Sequence, residues 1–289
     1  MSEWLMERYR DGYGFADEEQ LWPQSDGTSH GIITRQEIDR VSDRPNIKAL
    51  KICGLRQDTF DYFIDRYGRQ FEAIFFWKCP LVADLSKLAG LARLKHVGFF
   101  WNQRAERLWD MSGNGALKSV FLNDFSRLHH LDDLASAPAL EELHFGDAVW
   151  DGCVIETLKP LERCVGLRYL SFTGKKITDG DPSPIAALPR LEELAFPCNF
   201  FTTEQIAWLT ARLPKVKSQV LAPFYHTEPI EWPTAKGVKH KDTFIVGKGK
   251  PFLDSSADRL RIEKYAREFE ALAGRFRQNP QEACPAAND

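Results

Sequence analysis

The chain has 289 residues, 43% of them hydrophobic, and a formal net charge of −3. This length suits one repeat domain with caps or two small domains. The near-neutral balance argues against broad electrostatic binding of nucleic acid, which needs a basic face, and no stretch approaches the ~18 consecutive apolar residues of a membrane span.

Residues 1–45 read as an N-terminal cap. The first ten are polar and charged, without the apolar centre of an export signal, so a cytoplasmic location is expected. Trp4, Leu5 and Tyr9 suit a short amphipathic helix within residues 3–13. Residues 24–31, QSDGTSHG, read as a loop. Thr34, with Glu37 three residues on, looks like a capped helix start.

From residue 46 to about 222 one phrase recurs. The apolar pairs are Leu50/Ile52, Ile74/Phe76, Val97/Phe99, Val120/Leu122, Leu143/Phe145, Leu170/Phe172 and Leu194/Phe196, their first members 24, 23, 23, 23, 27 and 24 residues apart. An apolar residue stands three before each pair. Three after it stand Leu55, Cys79, Asn102, Phe125, Ala148, Lys175 and Asn199, a position where an asparagine can bond the backbone of a bend. A strand of three or four residues cannot bury its face alone. Stacking such strands builds a parallel sheet whose alternate side chains fill a continuous core. Between strands, residues 58–69 carry Phe60, Phe63, Ile64 and Tyr67 on one helical stripe, and residues 203–213 carry Ile206, Leu209 and Leu213 in phase. Residues 101–115 read as a projecting rim loop, and residues 179–184 as the loop behind a longer spacing.

After the repeats, residues 223–277 read as a C-terminal cap. The stretch 224–233, FYHTEPIEWP, is expected to lie extended over the solenoid end. Residues 243–246 and 251–253 flank a Gly-Lys-Gly-Lys turn as a hairpin. A helix capped at Ser255 or Ser256 then runs to about Phe276, with Leu260, Tyr265, Phe269, Leu272 and Phe276 on one face. Residues 278–289 are expected to be a disordered tail.

The phase of these pairs, and the run Asp84-Leu85-Ser86-Lys87-Leu88-Ala89-Gly90-Leu91, resemble the leucine-rich repeat superfamily and in particular bacterial, internalin-like repeats. The resemblance covers roughly residues 45 to 222. It implies an α/β solenoid: a curved parallel sheet on the concave face, helices and irregular turns on the convex face, and caps at both ends. It also implies a ligand-binding scaffold and no reaction.

Three columns of side chains would then face the concave side. They bring forward Lys51, Phe75, Trp77, His96, Phe100, Phe121, Asn123, Glu142, His144, Tyr169 and Glu193 as partner-binding candidates. Clustered exposed aromatics often mark a binding hot spot; the competing reading is that the N-terminal cap or a rim loop covers them. Lys48 and Lys51 near the start and Glu141, Glu142, Glu192 and Glu193 later on suggest an acidic flank for a basic partner.

No catalytic constellation is legible, and no cofactor or metal site is expected. His96 and His144 lie two repeats apart, and His129-His130-Leu131-Asp132-Asp133 falls in a convex segment. The Gly-Lys-Gly-Lys turn lacks the Walker spacing. The six cysteines form no CxxC pair and read as reduced, packed thiols. The expected function is therefore non-enzymatic protein–protein interaction by a monomeric, cytoplasmic, bacterial protein, in the manner of an immunity or inhibitor protein against a toxin or enzyme. No nucleic acid or membrane partner is expected. The alternatives are a secreted effector acting on host proteins, an enzyme using His226, His240, Lys248 and Asp254, and nucleic-acid binding through residues 236–250.

Overall fold

The computed structural model describes residues 5–9, 12, 14–23, 31–147, 149, 152–234 and 237–287. The chain divides into two compact units, one of positions 1–178 with 188–190, the other of 179–187 with 191–289.

The first unit is built on parallel strands in the order β1 (Gln20–Leu21), β2 (Ala49–Cys53), β3 (Ala73–Trp77), β4 (His96–Asn102), β5 (Ser119–Phe125), β6 (Glu142–Gly146) and β8 (Tyr169–Phe172). Their register follows the repeat. Leu50, Ile74, Val97, Val120, Leu143 and Leu170 stand side by side, as do Ile52, Phe76, Phe99, Leu122, Phe145 and Phe172. All twelve are buried to within 2% exposure, and burying each such side chain contributes roughly 1.5–3 kcal/mol. Phe76 stacks on Phe99 at 4.7 Å and meets Phe60 at 5.3 Å. This inner face is a solenoid core.

Behind the sheet, α3 (Gln57–Tyr67) buries Phe60, Phe63 and Ile64 as its stripe demands. Later repeats have room only for short 3₁₀ turns, Ser86–Gly90, Asp132–Ser136 and Lys159–Arg163, which bury Leu88, Leu134 and Leu161. A small pair joins β7 (Val154–Ile155), within the longer fifth spacing, to β9 (Lys176–Ile177) in the sixth. These features make the first unit a leucine-rich repeat solenoid.

Several local devices differ from the sequence reading. Residues 103–115 do not project. Ala105, Leu108, Trp109, Met111 and Asn114 are buried, tied by Leu108 N–H to Asp133 Oδ2 and Met111 N–H to Ser136 Oγ. Asn102 does turn inward: its Nδ2 donates to Val82 O at 2.9 Å, and its Oδ1 accepts from Ala105 N–H at 2.8 Å. Asn199 is exposed. A further regularity was invisible in the sequence. Gly54, Lys78, Trp101 and Asp124 hold the same place in successive repeats, and all are left-handed, at φ 78°, 48°, 66° and 56°. A left-handed residue there turns the chain out of the strand, at a steric cost for a bulky side chain.

The N-terminal region holds α1 (Leu5–Tyr9), β1 and α2 (Arg35–Ile38). The Thr34 cap is real: Thr34 Oγ1 accepts from Glu37 N–H at 3.2 Å, and Glu37 Oε2 accepts from Thr34 N–H at 2.8 Å. β1 adds a parallel edge strand beside β2, with Gln20 opposite Lys51. The loop expected over 24–31 falls, apart from Gly31, outside the described residues.

The second unit holds α4 (Ser183–Ala186), the three-residue repeat strand β10 (Glu193–Ala195), α5 (Thr203–Arg212), an antiparallel sheet of β11 (Phe224–Thr234), β12 (Gly237–Ile245) and β13 (Phe252–Leu253), and α6 (Arg259–Gln278). The stretch read as merely extended is thus a strand, paired along its length with β12 across a register shift between His226 and Ile230. The β12–β13 hairpin forms as its turn chemistry implied, with Thr243 opposite Leu253. In α6 the buried face is Ile262, Phe269, Ala273 and Phe276; Leu260, placed on that face from sequence, is 74% exposed. Residues 279–287, expected as a disordered tail, run back along α5. Trp208 Nε1 donates to Glu282 O at 2.9 Å, Gln205 Nε2 to Pro285 O at 3.1 Å, and Arg212 to the carbonyls of Phe276 and Glu282.

Candidate functional site

The outward face of the sheet carries the three expected columns. One runs Ala49, Ala73, His96, Ser119, Glu142, Tyr169; the next Lys51, Phe75, Gly98, Phe121, His144, Ser171; the third Cys53, Trp77, Phe100, Asn123, Gly146. Of the partner-binding candidates, ten therefore share one surface. Glu193 lies in the second unit, 3.5 Å from Lys217.

Most of that surface is covered. Tyr9 and Phe15 cluster with Ala49, Ala73, Phe75 and Phe121, with Leu5, Trp77, Phe100 and Tyr169 against them. Phe75 and Phe121 are at most 1% exposed, Lys51 5%, His96 0% and Glu142 4%. The exposed aromatic patch inferred from sequence is in fact a buried one, and the N-terminal cap is what covers it. Trp77 and Phe100, stacked at 4.4 Å, stay half-buried at the edge of the cover, as do Tyr169 and Ser171.

The covering residues make specific contacts. Leu5 N–H donates to Glu142 Oε1 at 2.9 Å, and Lys51 Nζ donates to Gly12 O at 2.9 Å. The Lys51 ammonium also lies 4.1 Å from the Trp77 ring centre and 5.2 Å from that of Trp22, a cation–π arrangement. Burial pulls its pKa below the ordinary lysine value. Phe15 meets Phe75 edge-on at 6.1 Å. Gly12 is left-handed at φ 69°, and a Cβ there would lie 3.1 Å from the Phe75 ring and 3.3 Å from Lys51 Cε, so this crossing demands glycine.

Two histidines sit in this floor in different states of satisfaction. His144 stacks on Phe121 at 4.6 Å, with Nε2 2.8 Å from Asn123 Oδ1 and Nδ1 3.1 Å from Ser171 Oγ. Oδ1 can only accept, so Nε2 carries the proton and Nδ1 accepts from the serine hydroxyl. His96 pairs through Nδ1 with Ser119 Oγ at 2.9 Å, but its buried Nε2 has no hydrogen-bond partner among the described residues. Burial lowers its pKa to about 3, so it is neutral.

The acidic flank inferred from sequence is neutralised at Glu141, which pairs with Lys118 at 2.7 Å and Arg168 at 3.5 Å. Glu72 pairs likewise with Lys95 and Arg93. Alternating charges across neighbouring strands account for both, and the sequence reading missed them because partners about 23 residues apart meet only once the register is known.

Elsewhere in the first unit a cavity of about 200 Å³ opens at the C-terminal ends of the strands, lined by Trp101, Gln103, Asp124, Ser126, Asp147 and Gly152. His129 Nδ1 bonds Val154 O, and His130 pairs with Glu156. Among the described residues no three His, Cys, Asp or Glu side chains converge as metal ligands. No described helix is long and apolar enough to cross a membrane.

In the second unit His240 Nδ1 lies 3.1 Å from Asp254 Oδ2, and His226 Nδ1 lies 2.9 Å from Thr243 Oγ1. Asp254 also accepts from Ser256 and Ala257 N–H, both at 2.8 Å, which makes it the turn that starts α6. The neighbouring Ser255 hydroxyl donates to Asp242 at 2.5 Å rather than to a histidine. Despite burial, which works against it, the Asp242 pKa falls to about 2 under the bonds from Ser255 and Thr243 and the charge of His240. Lys248 sits in the hairpin turn, bonded through its N–H to Phe201 O. The four residues considered for catalysis are thus not brought together around a nucleophile. Lys236, from the basic stretch, lies outside the described residues.

No protein-family model and no curated protein matches the sequence. Among solved structures, a leucine-rich repeat protein of Leptospira interrogans is similar at 13% identity and a TM-score of 0.48, over 65% of this chain and 45% of that one. An internalin (inlF) of Listeria monocytogenes is similar at 16% identity and 0.38, over 64% and 62%, and an internalin C2 (inlC2) of the same organism at 17% and 0.37, over 64% and 72%. The chain thus spans less than two thirds of the first two. The repeat fold itself rests on the strand register above.

Proposed function

We propose that this chain is a non-enzymatic protein-interaction module that recognises a partner polypeptide on the concave strand face. The observation that supports the reading is that this face already holds part of the chain itself: Tyr9 and Phe15 pack with Phe75 and Phe121, Leu5 is bonded to Glu142 and Gly12 to Lys51. A rigid parallel sheet fixes these side chains in advance, so binding costs little ordering of the site. Lys51 and Glu142 set orientation, aromatic rings supply buried area, and the half-buried Trp77–Phe100 stack offers a hot-spot anchor. A cytoplasmic role in neutralising a toxin or enzyme belongs to the same proposal. The alternative within it is an exported effector that binds host proteins.

The test is affinity capture from source-cell lysate with the wild type and a folded Trp77→Ser, Phe100→Ser variant, quantified by mass spectrometry. The reading expects a protein retained by the first and lost by the second. Identical retention would move the site off the concave face.

A further inference from the structure

We infer that the covering residues Leu5, Tyr9, Gly12 and Phe15 are a built-in, displaceable stand-in for the partner, and that the partner's recognition element is a short aromatic peptide segment of the same kind. The inference rests on the concave-face reading and adds to it the chemistry of the partner and the regulation of the site.

The floor under Leu5, Tyr9, Gly12 and Phe15 is not composed as a core. Lys51, His96, Ser119, Asn123, Glu142 and His144 are each no more than 9% exposed. Burying such groups carries a free-energy penalty unless each finds a partner, and apolar side chains at these outward positions would close the sheet face more simply. A polar floor makes sense where a ligand's backbone is to be bonded. The covering segment supplies such groups: a carbonyl from Gly12 for the Lys51 ammonium and an N–H from Leu5 for the Glu142 carboxylate.

The fit of the cover is incomplete. His96 Nε2, wholly buried beneath the Tyr9 ring at 5.3 Å, is left without a hydrogen bond among the described residues, and an unmade bond at a buried polar atom is a standing penalty. The covering helix α1 has five residues, too few to persist without the surface it lies on. The Trp77–Phe100 stack continues the same aromatic surface and stays half-buried. A segment that places aromatics over Phe75 and Phe121, offers a carbonyl to Lys51 and an N–H to Glu142, and brings a hydroxyl to His96 Nε2 would outdo the cover. A hydroxyl serves either tautomer of that nitrogen. Because the cover is tethered, such a partner binds only the fraction of molecules in which it has lifted, and its apparent affinity falls by that fraction.

The test uses the full chain. Gly12→Val sets a branched side chain against Phe75 and Lys51 at a left-handed position and lifts the segment without altering the sheet. Tyr9→Ser is the second releasing variant, used where Gly12→Val does not melt cooperatively. The probe is a fluorescein-labelled synthetic peptide with the sequence of residues 1–17 of this chain, followed by anisotropy. The expected result is binding to the released variants at least ~10-fold tighter than to the wild type, lost again when Glu142→Leu, which removes the acceptor for the Leu5 N–H, is added. Equal binding to wild type and released variants, or binding to neither, overturns the inference. The capture assay with Trp77→Ser, Phe100→Ser separates the two claims, because neither residue makes the Lys51–Gly12 or Glu142–Leu5 hydrogen bond that the peptide would re-form. Capture abolished there with no peptide uptake leaves the concave reading standing and removes the stand-in. Peptide uptake with unaltered capture does the reverse.

Discussion

The ring of Tyr9 lies 5.3 Å from the ring of His96, and this contact joins the first helix of the chain to the fourth strand of its sheet. It seals an imidazole whose Nδ1 is bonded to Ser119 and whose pKa is pushed to about 3 by burial.

That burial gives stability a pH dependence. The pKa of His96 is depressed in the folded chain, whereas the unfolded chain takes up a proton near 6.5. The neutral imidazole therefore contributes its full share of stability above about pH 6.5, and that share is lost as pH falls from there toward 3. The slope is at most ~1.4 kcal/mol per pH unit for one proton. Urea unfolding at pH 7 and pH 4.5 should show a larger loss for the wild type than for His96→Gln. Equal losses would mean that His96 is not buried neutral.

The core spine should respond to truncation. Phe76 is 1% exposed and wedged between Phe60 and Phe99. Phe76→Ala leaves a cavity that the stacked repeats cannot close, at a cost of roughly 3–5 kcal/mol. Chemical denaturation should show this as a lower midpoint; a change below about 1 kcal/mol would argue against a packed inner column.

Asn102 is a hydrogen-bonded bracket rather than a packing residue. Asn102→Ala strands the Val82 carbonyl and the Ala105 N–H, at a cost on the order of 1–3 kcal/mol for each buried group left unpaired. Asn199→Ala, at the equivalent but exposed position, should be nearly silent in the same melt.

The cysteines should be inert in the native state. Burial raises Cys79 and Cys153 to about 12, and Cys53 and Cys164 to about 11, so almost no thiolate exists near neutrality. A chromogenic disulfide reagent at pH 8 should leave these four unmodified until denaturant is added. Rapid reaction of all six in the folded chain would contradict their burial.

The repeat was legible in the sequence because its signal is redundant. Leu50, Ile74, Val97, Val120 and Leu143 recur 23 or 24 residues apart, and six parallel strands form in the register that this phase implies. The cover over the concave face was only an alternative, because Leu5, Tyr9 and Phe15 lie outside the repeat and their burial depends on contacts with residues some forty to one hundred and forty positions away. The inward packing of residues 103–115 was missed for a related reason. Met111 and Asn114 are held by Ser136, Leu88 and Leu91 from neighbouring repeats, and Asn114 Oδ1 in turn accepts from Trp109 Nε1; a polar composition read alone suggested a projecting loop. The return of residues 279–287 along α5 hangs on the Trp208 indole and the Arg212 guanidinium, which bond backbone carbonyls and so leave no mark in the tail's own sequence.

The account stands or falls on whether a partner touches the concave face. A photo-crosslinking amino acid at position 100, beside Trp77, should join the chain to a second polypeptide in source-cell lysate, while the same group at Glu162 in the convex turn should not. Crosslinks formed from position 162 and absent from position 100 would contradict it.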